Sequence, residues 1–173
     1  MIKAKTTLKN IEAYSIDKYY SDFELKLDSN ENPYGPSPLV EHAIRNFDIK
    51  KVQYYPAYGI LIEKLAQILN TKVENLLLTN GCDEAINVVL NTFLENDDEV
   101  LTFSPTFSMP KIYTETIGAN FVEIPYLNKW EFQVSEFEKN ITTRTKILYL
   151  TSPNNPTGEI VEPKVVEYLL STI

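Results

Sequence analysis

The sequence predicts an α/β fold: a mostly parallel sheet flanked by helices, forming a partial three-layer sandwich. From residue 75 onward, short apolar runs alternate with longer stretches of helical spacing. Strands separated by helices of ten residues or more need crossover connections, which parallel pairing requires. The chain has 173 residues, 43% apolar and 23% charged, enough to bury a core as one domain by default.

The first 35 residues are predicted to form an irregular arm that ends in a turn rich in asparagine and proline at 30–38. Ser37 followed by Pro38 begins a helix, since a serine cap and a proline at the first helical position are both favourable. A polar and aromatic turn from Gln53 to Gly59 precedes a second amphipathic helix that runs to Leu69. We therefore expect an arm over 1–35 and a main domain over 36–173.

The remaining elements follow from apolar spacing and from turn residues. Gly118 closes one predicted helix, Ser135 and Glu138 fit a capping box for another, and Pro163 opens the last one. The predicted strands are 76–79, 100–103, 121–124 and 146–151, and the predicted helices are 83–94, 108–117, a short one from 135 and one from 163.

Composition disfavours several functions. The chain carries 16 basic and 24 acidic residues, a net charge of −8 and a pI near 4.7, so nucleic acid is not an expected partner. With one cysteine, Cys82, no intrachain disulfide can form, which favours a cytoplasmic location. The N-terminus does not read as a secretory signal, and no apolar run predicts a membrane span.

The junction Thr79 to Glu84 predicts an anion site. Gly81 permits a tight turn after a strand, and the amides of Gly81, Cys82, Asp83 and Glu84 then lie at a helix N-terminus, which suits a phosphate. The alternative is a plain turn in which Asp83 and Glu84 only complement the helix dipole.

Two further loops follow predicted strands, and ligands of such sheets lie beyond the carboxyl ends of the strands. Ser152 to Gly158 holds the pair Asn154-Asn155 between prolines, which makes an asparagine amide there a rigid hydrogen-bonding group; alternatively, the asparagine side chains only satisfy their own backbone. In the loop at 104–107, Phe107 could lie against a planar ring, or it could simply cover the core.

Other chemistry has less support. His42, the only histidine, lies mid-helix and is predicted to be a surface residue. Cys82 has no second titrating partner nearby in sequence, which disfavours a nucleophilic role. No cluster of histidine, cysteine and acidic residues has the spacing of metal ligands.

Taken together, these motifs resemble the N-terminal half of the histidinol-phosphate aminotransferases, a family of pyridoxal-phosphate enzymes with the aspartate-aminotransferase fold (class I/II, fold type I). The resemblance extends from about Leu27 to Val161. The residues that carry it are Asn30 to Pro38, Tyr55-Pro56, Asn80 to Glu84, Pro105 to Met109, Arg144 to Lys146 and Pro153 to Gly158.

The resemblance implies a role for each loop. Residues 36–173 would be the N-terminal part of the cofactor-binding large domain, with 1–35 as an arm on the substrate side. Pyridoxal 5'-phosphate would be held by its phosphate at Gly81, Cys82, Asp83 and Glu84, stacked by Phe107, and hydrogen-bonded at the ring hydroxyl by Asn155. Tyr55 would reach the cofactor phosphate of the neighbouring subunit in a homodimer. Asn32 and Tyr14 would face the substrate, although Ile16-Asp17 replaces the Pro-Gly that usually follows that tyrosine.

The resemblance also implies that the catalytic groups lie beyond residue 173. The lysine that forms a Schiff base with the cofactor, the aspartate at the ring nitrogen and the substrate arginines follow the Asn-Pro-Thr-Gly loop in the family. None of the fourteen lysines here has the expected Ser-Lys setting. We therefore expect the chain on its own to be inactive, the strand at 76–79 to lack its neighbours, and the strand at 146–150 to be an open edge.

The parent enzyme would move an amino group between histidinol phosphate and 2-oxoglutarate in histidine biosynthesis. Two alternatives stay open at this point. One is another pyridoxal-phosphate enzyme of the same branch, such as a threonine-phosphate decarboxylase or an aromatic aminotransferase. The other is a non-catalytic half that binds a phosphate compound or docks onto a complementary partner.

Overall fold

The computed structural model describes residues 2–12, 14, 27–127 and 130–172. Its strands are β1 (Glu99–Ser104), β2 (Asn120–Pro125) and β3 (Thr145–Leu148). Its α-helices are α1 (Pro38–Arg45), α2 (Gly59–Ile68), α3 (Gly81–Phe93), α4 (Met109–Ile117), α5 (Val134–Asn140) and α6 (Pro163–Thr172). Short 3-10 helices cover Thr6–Asn10, Ile49–Gln53 and Val73–Asn75.

The three strands form one parallel sheet in the order β2-β1-β3. Glu99 of β1 pairs with Asn120 on one side and with Thr145 on the other. Val100 and Leu101 of β1 are fully buried, as a central strand covered on both faces requires. The predicted α/β class with a parallel sheet is confirmed.

The core lies in two clusters because neighbouring residues of a strand point to opposite faces of the sheet. Val100 packs with Leu90 and Leu94 near α3, and residues of α4 join this cluster. Leu101 and Phe103 pack with Phe137 of α5 on the other side. Helices therefore cover both faces, which gives the three layers.

The chain divides into two compact units, Met1–Tyr14 with Leu78–Ile173 and Ser15–Leu77. The first unit contains the sheet. The second contains α1 and α2, and Ala66 is its only buried apolar side chain among the residues described there. The expected division between residues 35 and 36 stays a prediction.

Most helix limits agree with the sequence analysis. The Ser37 hydroxyl accepts a hydrogen bond from the Leu39 amide at the start of α1, and Gly118 ends α4 with φ of 103° in the left-handed region. His42 is exposed on α1, as predicted. Within the predicted irregular arm, Thr6–Asn10 is a 3-10 helix, and residues 15–26 lie outside the described residues.

The predicted strand over residues 76–79 is wrong for the part of the chain that is described. These residues are not in the sheet, and Leu77 is 65% exposed. An apolar run becomes a strand only when a neighbour supplies hydrogen bonds. The family resemblance anticipated this loss of neighbours, and it also anticipated that β3 would lie at an edge of the sheet.

The predicted capping box of α5 is also wrong. The helix begins at Val134, its cap residue is Gln133, and no side chain makes a capping hydrogen bond, so Ser135 lies inside the helix. Phe137, which is fully buried, anchors α5 instead. Within the described residues, no helix is long and apolar enough to cross a membrane.

Candidate functional site

The loops that follow β1 and β3 are joined directly to each other. The Thr106 hydroxyl donates to the Asn154 Oδ1 atom at 2.7 Å and lies 3.2 Å from the hydroxyl of Thr151. The Asn154 Nδ2 atom donates to the carbonyl oxygen of Pro105 at 3.0 Å. Because both strands end at the same edge of a parallel sheet, the two loops meet there, as the sequence analysis expects.

The β3 loop is also closed on itself. Two bonds join backbone groups. The backbone N–H of Asn154 donates to the carbonyl of Glu159, and the backbone N–H of Gly158 donates to the carbonyl of Asn154, both at 2.7 Å. The Nδ2 atom of Asn154 makes a second bond, to the Thr157 hydroxyl at 2.9 Å. Hydrogen bonds within the β3 loop and to the β1 loop therefore hold it in place. Three peptide bonds of the two loops are cis: Ser104-Pro105, Ser152-Pro153 and Asn155-Pro156.

Phe107 and Asn155 follow the joined residues Thr106 and Asn154 and are half-buried. Phe107 belongs to neither core cluster of the described residues, which disfavours the alternative that it covers the core. The Asn155 side chain has no hydrogen-bond partner in the described part of the chain. It is Asn154, and not Asn155, that satisfies backbone groups of the loops.

The β1 loop is fixed on its other side by residues of β2 and α4. The Glu123 carboxylate accepts from the Ser104 hydroxyl at 2.9 Å and from Lys111 Nζ at 2.6 Å. Burial opposes the charge of Glu123, but the hydrogen bonds from Lys111 and Ser104 outweigh it and hold the pKa of that carboxyl below its ordinary value. The hydrogen bond to Glu123 raises the pKa of Lys111, so this amine stays protonated.

The start of α3 has the tight turn that the sequence analysis predicts. Gly81 has a φ of 77°, in the region that favours glycine. The Gly81 amide donates to the Thr79 carbonyl at 2.9 Å, so it is used within the turn. The Glu84 carboxylate accepts from the Asn80 amide. The amides of Cys82 and Asp83 lie in the first helical turn, where no acceptor exists inside the helix.

Tyr149, the first residue after β3, connects this turn to the joined loops. Burial raises the pKa of the Tyr149 phenol and the Asp83 carboxylate adds to this shift, while a hydrogen bond with Thr151 opposes it. Tyr149 and Ile86 of α3 pack against the same core cluster. The first turns of α3 therefore lie near the same edge of the sheet as the β1 and β3 loops.

The space beneath the joined loops is small. A cavity of about 10 Å³ is lined by Thr102, Thr106, Tyr149, Asn154 and aromatic residues around them. This volume suits one water molecule. A ring-sized ligand would have to lie on the outer side of the loops, where Phe107 and Asn155 are partly exposed.

The remaining predicted site residues are Asn32, Tyr55 and Tyr14. Asn32 and Tyr55 belong to the unit Ser15–Leu77, and Tyr55 is 99% exposed. The Asn32 side chain donates to the Gly35 carbonyl and accepts from the Tyr34 amide, so its contacts are within its own turn. Tyr14 is 55% exposed in the first unit. The described residues contain no group of three side chains that could hold a metal ion.

Sequence reasoning missed Thr106, Asn154 and Glu123 as members of the site. Only the bracketing of the Asn154-Asn155 pair by prolines was a signal, and it did not separate the two asparagines. The bonds that define Thr106 and Asn154 join residues 48 apart in sequence, which no local pattern reveals.

The chemical groups at this edge of the sheet are of the types that pyridoxal phosphate requires. The helix start offers amides for a phosphate, Phe107 offers a flat face, and Asn155 offers a carboxamide with no other partner among the described residues. Asp83 and Glu84 oppose an anion by charge, but Glu84 is already bound to the Asn80 amide.

Comparisons with known proteins identify the family and the fold of this chain. Residues 24–173 match the family described as Aminotransferase class I and II. The chain is 36% identical over 152 residues to the histidinol-phosphate aminotransferase of Methanocaldococcus jannaschii, a match covering 85% of this chain and 40% of that protein. The chain thus spans less than half the length of this curated relative.

Two solved structures have the same fold over most of this chain. A putative histidinol-phosphate aminotransferase from Erwinia carotovora atroseptica matches with a TM-score of 0.76 and 26% identity, covering 83% of this chain and 42% of that one. The Sinorhizobium meliloti histidinol-phosphate aminotransferase, solved with pyridoxal-5'-phosphate, matches with a TM-score of 0.74 and 23% identity, covering 83% of this chain and 39% of that one.

Proposed function

Because this chain belongs to the aminotransferase class I and II family, we propose that it forms the N-terminal part of a histidinol-phosphate aminotransferase. The whole enzyme would move an amino group between L-histidinol phosphate and 2-oxoglutarate, in the cytoplasm and as a homodimer. The names of the relatives and the partial match to fold-type I structures support this proposal.

The observation that carries the proposal is the pair of hydrogen bonds that join the Thr106 hydroxyl to Asn154 and to Thr151. They bring Phe107 and Asn155, which are far apart in sequence, to one edge of the sheet. A stacking ring and a carboxamide with no other partner in the described residues are what a flat heteroaromatic ligand needs. Tyr149 packs with Ile86 of α3 against one core cluster, and the start of that helix is the proposed phosphate end.

When bound, pyridoxal phosphate supplies the electron sink for amino-group transfer. The residues of this chain would bind and orient it. The amides of Cys82 and Asp83, at the turn formed by Gly81 and Glu84, would hold the phosphate. Phe107 would stack on the ring, and Asn155 would donate to the ring hydroxyl oxygen.

The remaining roles are proposed from family membership. Tyr55 would contact the cofactor phosphate of a neighbouring subunit, and its 99% exposure leaves the phenol accessible for such a contact. Asn32 and Tyr14 would face the phosphorylated substrate. An aromatic aminotransferase or a threonine-phosphate decarboxylase would use the same cofactor residues with different substrate groups.

Lys111, on α4 next to the β1 loop, is already engaged with another side chain. Lys111 is held protonated by Glu123, and a protonated amine is not a nucleophile. We therefore expect this chain to bind the cofactor without a covalent bond and to show no aminotransferase activity by itself.

The test uses two ligands. Pyridoxamine 5'-phosphate carries no aldehyde and cannot form a Schiff base with lysine, and it should bind the chain. Phe107→Leu and Asn155→Ala should each reduce its affinity about tenfold. Phe93→Leu is the matched control, because Phe93 is 64% exposed on α3. Equal affinity in all four proteins would contradict the proposed site.

The second arm uses pyridoxal phosphate itself. After borohydride reduction and peptide mass spectrometry, we expect low labelling spread over many of the fourteen lysines. Stoichiometric labelling of one lysine, with transamination of histidinol phosphate, would show that the chain carries its own cofactor lysine and would contradict the expected inactivity.

A further inference from the structure

We propose that Asn154 is a positioning residue, whose buried carboxamide sets the distance between Phe107 and Asn155 and so prepares the site for a planar ring. The inference rests on the proposed function and deepens it by adding a residue that does not itself face the ligand. The family resemblance assigns the binding role to Asn155, and the sequence pattern gives Asn154 no separate role.

The first observation is that Asn154 uses its whole side chain to join loops. It is only 5% exposed, its Oδ1 atom accepts from Thr106, and its Nδ2 atom donates to the Pro105 carbonyl and to Thr157. All three bonds are between 2.7 and 3.0 Å. A buried polar group with every bond satisfied holds its neighbours in one arrangement.

The second observation is the position of the bonded residues in the chain. Thr106 directly precedes Phe107, and Asn154 directly precedes Asn155. A movement of either loop is therefore passed on to a proposed ligand-binding side chain within one residue. Binding groups must be held within about 0.5 Å of their working geometry, so a bond at this point controls the spacing of the two groups.

The third observation is that Asn154 is not needed to keep the β1 loop attached to the sheet. Ser104 remains bonded to Glu123, and Glu123 to Lys111, on the side of β2. The β3 loop keeps the backbone bonds of Asn154 to Gly158 and Glu159. We therefore expect variants of the Asn154 side chain to fold while the distance between the two loops becomes variable.

The chemistry requires an amide at this position. Aspartate has nearly the same shape and can still accept from Thr106, but it cannot donate to the Pro105 carbonyl or to Thr157. A carboxylate there would also face the carbonyl oxygen of Pro105 without an intervening proton. Asn154→Asp therefore removes the bonds to Pro105 and Thr157, and keeps an acceptor for Thr106, with little change in volume.

The experiment compares two ligands that share the phosphate but differ in the ring. Dissociation constants are measured by equilibrium dialysis for pyridoxamine 5'-phosphate and for inorganic phosphate. The variants are Asn154→Asp, which loses the joining bond to Pro105, and Thr106→Val, which loses the joining bond to Asn154. Thr106→Ser keeps the hydroxyl and is the rescue variant, and Asn91→Asp makes the same chemical change at an exposed position of α3.

We expect the unchanged chain to bind pyridoxamine 5'-phosphate more tightly than inorganic phosphate. Asn154→Asp and Thr106→Val should reduce this preference about tenfold while the affinity for inorganic phosphate changes less than about twofold. Thr106→Ser and Asn91→Asp should keep the preference. Without ligand, amide hydrogen exchange at Phe107 and Asn155 should be faster in Asn154→Asp, with no change in α3.

Three results would overturn the inference, and they are distinguishable. If the preference and the exchange rates survive in Asn154→Asp and Thr106→Val, Asn154 does not position the ring, and the proposed function stands. If the variants lose affinity for pyridoxamine 5'-phosphate and for inorganic phosphate by the same factor, the role of Asn154 is merely structural. If the unchanged chain shows no preference for the ring compound, the proposed function fails and the inference fails with it.

Discussion

Glu99 is a buried carboxylate at the first position of β1, at the end of the sheet opposite the candidate site. Its oxygens accept from Thr142 at 2.5 Å, from Arg144 at 2.6 and 2.9 Å, and from Thr145 at 3.3 Å. The hydrogen bond from Thr142 and those from Arg144 lower the pKa of Glu99 and outweigh its burial. Glu99 thus bonds the segment from Thr142 to Arg144 to the central strand β1.

We predict that Glu99→Gln lowers the free energy of unfolding at pH 7 by about 2 kcal/mol, because hydrogen bonds to a charged group are lost. Since the pKa is lowered in the folded state, the contribution is full above the ordinary value of 4.5 and is lost as the pH falls through the folded pKa. Urea unfolding of both proteins should therefore show a difference that shrinks below pH 4.5.

The control for this prediction is Glu41→Gln. Glu41 pairs with Arg45 at 2.7 Å, but both side chains are more than half exposed. Exposed pairs contribute little, so we expect a change below about 0.5 kcal/mol. A Glu41 variant as destabilised as the Glu99 variant would show that burial is not what makes Glu99 important.

Gly81 and Gly59 each begin a helix, and they differ in backbone conformation. Gly81 has a φ of 77°, whereas Gly59 has no positive φ, and a Cβ added at either position would meet no heavy atom within 4 Å. We predict that Gly81→Ala costs about 1 kcal/mol through backbone strain alone, whereas Gly59→Ala is neutral or slightly stabilising. Thermal unfolding of the two variants measures the difference, and equal effects would refute the argument.

Among single residues, the sequence predicts those that need a special backbone conformation. It does not predict those whose role depends on a hydrogen bond to a residue far away in the chain. Gly81 could be predicted because a tight turn after an apolar run needs its conformation. The pairing of Thr106 with Asn154 could not, because it depends on how far β1 and β3 lie apart once the sheet has formed.

Among the elements, helix limits could be predicted where a cap or a glycine acts locally. Pro38, Pro163 and Gly118 mark helix ends through φ restrictions that do not depend on the rest of the chain. The capping box at Ser135 failed because α5 begins two residues earlier than this cap requires, with Phe137 buried in the core. Burial of an aromatic ring outweighs one capping bond.

The segment 76–79 shows the limit of the same reasoning for strands. Its apolar composition is typical of a buried strand, but strand formation requires a paired neighbour. β1 is paired on both sides with β2 and β3, so it has no free edge for this segment. Local sequence therefore predicts the tendency to be extended, whereas the sheet decides whether a strand forms.

We predict that α5 depends on the burial of Phe137. Its ring centroid lies 4.9 Å from that of Phe103 and 5.0 Å from that of Phe132. Phe137→Ala should lower the free energy of unfolding by about 4 kcal/mol, and Phe137→Leu, which keeps more of the contact, by less. Phe93→Ala, at an exposed site of α3, should cost below about 1 kcal/mol.

Urea unfolding followed by the fluorescence of Trp130, the only tryptophan, measures these differences. Trp130 packs edge-on against Tyr126 at 5.7 Å, and Tyr126 stacks on Phe103, so the signal reports on the same cluster. Similar losses for Phe137→Ala and Phe93→Ala would show that this cluster does not anchor α5.

At the scale of the whole molecule, buried apolar side chains are distributed unevenly. Within the unit Ser15–Leu77 only Ala66 is buried among the described apolar residues, and Leu39, Ile49 and Ile60 are each more than 70% exposed. The sheet unit contains the two core clusters. Regions with few buried contacts open at low free energy.

We predict that brief digestion with a low concentration of protease cuts first within residues 27–77 and leaves the segment from about 78 onward intact. Mass spectrometry of the timed products identifies the cuts. Initial cleavage within β1, α4 or β2, or resistance of 27–77 equal to that of the sheet, would contradict the prediction.

The position of β1 at the centre of the sheet has a consequence for assembly during synthesis. Glu99 pairs with Asn120, 21 residues later in the chain, and with Thr145, 46 residues later, so β1 and β2 can dock while the residues of β3 are still being translated. Closing the shorter connection costs less entropy. The edge that carries Asn154 and Asn155 is thus added onto a two-stranded template already in place.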